Sequence, residues 1–171
     1  MLRARNKEFF EMKKIVILLL LFLFSTSAFA QNYIGYKHKG VVFGETLPNG
    51  VKDLGGGLLS NESYGVSRFS KDKKFMLWLE KISSRDAEGI PVWEVKDVLI
   101  YDKLKKNQKF LFSYSSPCKQ NGKVNLDMIV LVETASKKKS YKILKAWQVN
   151  LSREKFEKLS TKKIKCDFFQ S

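Results

Sequence analysis

Apolar side chains recur at every second position over much of this chain. Phe75, Leu77 and Leu79 alternate with Met76 and Trp78, and Phe110 and Phe112 lead to Tyr114. Met128, Val130 and Val132 follow, and Tyr141 and Ile143 are succeeded by Trp147 and Val149. A period of two is the signature of strands. Between these runs lie the turn-forming clusters Pro48-Asn49-Gly50, Ser70 to Lys73, Asp86 to Gly89, Lys119 to Gly122 and Ser136 to Lys139, and short strands joined by short turns become antiparallel neighbours. The segment Pro91 to Asp102 alternates at first and is continuously apolar from Val98 to Tyr101, as a strand buried on both faces would be. Strict alternation along it puts Asp97 on the same side as Trp93 and Val95, an acid on an apolar face.

One helix is predicted near the C-terminal end. Ser152 is a good N-cap, Leu151 can staple onto Phe156, and Phe156 and Leu159 share a helical face. Alternation then returns with Ile164, Cys166 and Phe168 on one side. The expected class is therefore α+β: a dominant antiparallel sheet of about six to eight strands with one short helix from near Arg153.

The first part of the chain reads differently. Met12-Lys13-Lys14 precedes an unbroken apolar run from Ile15 to Phe24, then Ser25-Thr26-Ser27 and Ala28-Phe29-Ala30. This is the layout of a secretory signal peptide, 12–30, with cleavage expected between Ala30 and Gln31. Residues 1–11 carry Glu8 and Glu11, unlike a purely basic leader start, so Met12 is the expected start and 1–11 an upstream extension. The run is shorter than the roughly 20 residues a spanning helix needs. No cysteine follows the cleavage site to accept a lipid. The expectation is a soluble periplasmic or secreted protein with one mature domain, 31–171.

An exported chain meets an oxidising compartment, and Cys118 and Cys166 are its only cysteines, so a Cys118–Cys166 disulfide is expected. Removing residues 1–30 takes five basic and two acidic side chains from the 32 and 17 of the whole chain, leaving 27 against 15, a net +12. Lysine supplies nearly all of it; the mature part has only Arg68, Arg85 and Arg153. Lysines attract anions as point charges, whereas base reading and bidentate recognition call for arginine, so nucleic acid is not an expected partner.

Candidate chemistry is sparse. The glycines of DLGGGLLS, Gly55 to Gly57, fit neither GxxxxGK[ST] nor GxGxxG, and are expected at a bulge or strand crossing. His38 is the only histidine, flanked by Lys37 and Lys39, and is expected on the surface; no nucleophile-elbow pattern or zinc set accompanies it. No cofactor is implied. Glu80, Glu94 and Asp97 fall within one hairpin and are the candidates for a two-carboxylate glycan hydrolase. The reading preferred over that is a non-enzymatic binding or accessory domain of the cell envelope. Its basic surface would engage an acidic partner, whether anionic glycan, lipid surface or protein, with Arg85, Lys137, Lys138 and Lys139 as candidate contacts. Inhibition of a secreted hydrolase is a further alternative.

Overall fold

The computed structural model describes residues 32–39, 47–48, 50–135 and 140–167. Twelve strands form among them: β1 (Lys37–His38), β2 (Lys52–Leu58), β3 (Tyr64–Lys71), β4 (Lys74–Arg85), β5 (Pro91–Tyr101), β6 (Gln108–Phe112), β7 (Cys118–Gln120), β8 (Lys123–Val124), β9 (Met128–Ala135), β10 (Ser140–Asn150), β11 (Lys155–Leu159) and β12 (Ile164–Cys166). They make three antiparallel sheets. Sheet A has the order β1-β5-β4-β3-β2, sheet B the order β11-β10-β9-β6, and sheet C the order β12-β7-β8.

The α+β expectation is overturned: among the described residues the protein is all-β. Lys155–Leu159, expected as helix, pairs residue by residue with β10, from Asn150 opposite Lys155 to Ala146 opposite Leu159. Ser152 is no helix cap; its hydroxyl donates to Asn150 Oδ1, which also accepts the Arg153 N–H and closes the turn. Glu154 completes the reversal in the left-handed region at φ 53°. A helix of so few residues gains little in water, whereas a strand here saturates the edge of β10.

Two cores explain the layering. The first joins Tyr64, Val66, Leu77 and Leu79 of sheet A to Phe110, Phe112, Ile129, Leu131, Trp147 and Val149 of sheet B. The second lies on the other side of sheet B, where Leu111, Met128, Val130, Val132 and Ala146 meet Cys118 and Ile164 of sheet C. Sheet B is thus the middle layer, and its strands send alternate residues into different cores. Phe156 packs on the first and Leu159 on the second, which is why a spacing of three between them mimicked a helical face.

Bulges reset the alternation at several points, of which two, in β10 and β5, redirect side chains between faces. In β10 the register shifts between Ile143 and Lys145, so Tyr141 and Ile143 face the second core while Trp147 and Val149 face the first. In β5, Glu80 pairs with Val95 but Leu79 with Asp97, leaving Lys96 as an extra residue. Asp97 is thereby turned away from the side of Val95, contrary to strict alternation, and toward sheet B. There its carboxylate accepts the Phe156 N–H at 2.8 Å.

The glycine run lies in β2 as expected of a bulge. Asp53 pairs with Phe69 and Gly56 with Ser67, so the register shifts across Leu54 and Gly55, and Gly55 adopts φ 82°. At Gly57 the requirement is space, because a Cβ there would run into the ring of Tyr114.

Candidate functional site

The polar groups divide into three settings. The first is the face of sheet A turned away from sheet B. His38 of β1 lies between Lys37 and Lys39 but points in, so its expected surface placement is overturned: it is 5% exposed. Its Nε2 lies 2.8 Å from Oε1 of Glu80, itself 3% exposed, and Ser67 Oγ donates to Glu80 Oε2 at 2.6 Å. Tyr36 stacks on the imidazole, and Phe69 and Trp78 meet it edge-on. The serine bonds the carboxylate rather than the histidine, so this is not the geometry of an activated nucleophile.

The second setting is the junction of sheets A and B. Glu154, on the β10–β11 turn, accepts from Lys81 Nζ at 2.6 Å and from the Tyr64 hydroxyl at 2.9 Å. Lys96 bridges Glu94 and Glu154, and Lys37 approaches Glu94 from the edge. The Lys81 ammonium holds the Glu154 carboxyl below its ordinary value, and Glu154 in turn raises Lys81. Elsewhere on this sheet Lys39 holds Asp86 down in the same way at 2.7 Å.

The three carboxylates expected to act together have separate surroundings. Glu80 pairs with His38 and Ser67 on one face of sheet A. Glu94 neutralises lysines, and the register puts it opposite Lys81 while Glu80 is opposite Val95, on the other face. Asp97 binds the backbone amides of Val98 and Phe156. Arg85 is exposed at the end of β4 and donates to Gly89 O at 2.9 Å within its own hairpin. Lys137, Lys138 and Lys139 lie outside the described residues. Cys118 and Cys166 are joined in a disulfide, as expected.

The third setting went unnoticed in the sequence. In the β7–β12 pair Cys118 lies opposite Cys166, and the next register position places Lys119 directly opposite Lys165. The cysteines and Ile164 point into the second core, so both lysines stand on the outer face of sheet C. With Lys163, Asn121 and Gly122 they line a cleft of about 420 Å³. Asn121 and Gly122 have φ of 52° and 80°, the paired left-handed residues of a two-residue hairpin turn, and the Asn121 N–H donates to Lys163 O. Among the described residues none of Lys119, Lys163 and Lys165 forms an ion pair. Like charges directly opposite in a ladder are destabilising, and an anion between the two lysines would relieve that repulsion. The signal was in the order of residues: Cys118-Lys119 and Lys165-Cys166 bring their lysines face to face once the bridge closes across antiparallel strands.

A second cleft, beside Tyr101 and Lys103, differs in kind. Asp102 lies in its lining, and Lys145 is engaged over the Tyr101 ring at 4.8 Å. Among the described residues no group of three or more His, Cys, Asp or Glu side chains could hold a metal ion. No family model matches the chain, and no curated protein or solved structure matches it.

Proposed function

We propose that this chain is an exported, non-enzymatic binding domain that engages an acidic partner of the cell envelope through lysines. The observation that carries the reading is the unneutralised outer face of sheet C, where Lys119 and Lys165 oppose one another beside Lys163. Elsewhere Lys37, Lys39, Lys81 and Lys96 are matched by carboxylates. Export rests on the 12–30 pattern, and a disulfide is compatible with an oxidising compartment.

Retention of components of an envelope extract on the immobilised, disulfide-intact protein tests the reading. Binding to anionic material should weaken steeply as salt rises beyond 0.1 M, where the Debye length is about 10 Å. Retention that ignores salt, or no retention of anionic material, would overturn it.

A further inference from the structure

Resting on that reading, we propose that the partner is the phosphate-bearing surface of an anionic lipid bilayer, docked on the outer face of sheet C. Three features of this face point the same way. The lysines suit a phosphate: each ammonium is a point charge able to approach a tetrahedral oxyanion from any side. The arginines are engaged within the protein, Arg68 on Gly55 O, Arg85 on Gly89 O and Arg153 on Glu157.

The apolar component is the second feature. Lys119 lies opposite Lys165 on one side and opposite Val124 on the other, so Lys165, Lys119 and Val124 form one row across the sheet. Val124 is 51% exposed, and Leu126, two residues further on, is 45% exposed. Cations beside exposed aliphatic side chains match the two strata of a bilayer surface, headgroup phosphate above and acyl chain below. A soluble anionic glycan offers the first stratum without the second.

Third, the disulfide ties β7 to β12 immediately beside the two lysines, so the backbone that carries them is joined before binding.

Co-sedimentation with vesicles of phosphatidylglycerol and of phosphatidylcholine, using the disulfide-intact protein, tests the proposal. Capture is expected on the anionic vesicles only. Lys119→Ser with Lys165→Ser should weaken it about thirtyfold, from the known worth of a basic residue near such a surface. These substitutions remove a repulsive pair, so thermal stability should hold or rise, which separates the effect from misfolding. Val124→Ser should weaken vesicle capture while leaving unchanged the shifts that inorganic phosphate induces in the lysine resonances; this arm distinguishes a lipid headgroup from free phosphate. Equal capture by the double variant overturns the proposal. Retention of anionic envelope glycans without vesicle capture overturns it too and leaves the broader reading standing. Binding to neither removes both.

Discussion

Asp97 on β5 accepts the backbone N–H of Phe156 on β11 at 2.8 Å, a hydrogen bond that crosses from sheet A to sheet B. It exists because the bulge at Lys96 turns the carboxylate toward the middle layer. Asp97→Ala leaves that amide in the sheet junction without its acceptor and should cost about 1–3 kcal/mol in urea unfolding. Asp97→Asn keeps an acceptor oxygen and should cost less. Equal effects of the two substitutions would show that the amide does not depend on this oxygen.

His38 and Glu80 form a buried pair, and removing His38 leaves the buried Glu80 carboxylate with Ser67 as its one remaining side-chain partner among the described residues. His38→Ala is expected to destabilise by about 3–5 kcal/mol. Its neighbour Lys37, with a side chain 60% exposed, should tolerate alanine within about 0.5 kcal/mol. Denaturant midpoints of the two variants decide this, and similar values would contradict the buried role.

Acid sensitivity follows from Glu154 and Asp86. Both carboxyls are held below their ordinary values of 4.5 and 3.8 by lysine partners. Their contribution is therefore present above those values and is lost as pH falls through the lower folded-state values. Lys81 is raised above 10.5, so its contribution is fully present below that pH and is lost as pH rises from there through the raised value. Glu154→Gln should make the stability profile shallower on both limbs. An unchanged acid limb, followed by urea midpoints, would show that the Lys81 contact does not form in solution.

Gly57 and Tyr114 should be energetically coupled. Gly57→Ala forces the ring aside, at an expected cost of about 1–3 kcal/mol. In a Tyr114→Ala background the same change should cost under about 0.5 kcal/mol, because the obstructing atoms are gone. Additive effects in this cycle would exclude the steric account.

Reduction of Cys118–Cys166, whose cysteines are 48 residues apart, should lower stability by about 4 kcal/mol on the chain-entropy account. Unfolding with and without reductant measures it directly.

The strands were visible in the sequence from short stretches of alternation, β10 and β5 among them despite their bulges, and the errors of facing arose where an extra residue changed the phase. Phe75 to Leu79 and Met128 to Val132 could be read because no bulge interrupts them. Asp97 could not, since the extra residue at Lys96 is set by pairing with β4 rather than by local composition. The segment after Ser152 resembled a helix because its apolar residues serve two cores at once, a fact about the layers rather than about the segment. His38 was legible in principle: Tyr36 and His38 alternate with Lys37 and Lys39, the same period of two used elsewhere. The charged neighbours drew attention from the period. The lysines of sheet C required one further step, projecting the disulfide onto the residues beside each cysteine.

Sheet C takes β7 and β8 from one part of the chain and β12 from another, with most of sheet B between them. The row from Lys165 to Val124 consequently has no counterpart in a partly folded chain whose β12 has not yet paired with β7. If the docking proposed for this face holds, it requires the closed sheet, and a chain without β12 in place lacks the surface that would dock. During oxidative refolding beside anionic vesicles, capture should appear with the same time course as the disulfide. Capture that runs ahead of the bridge would mean that isolated lysines suffice.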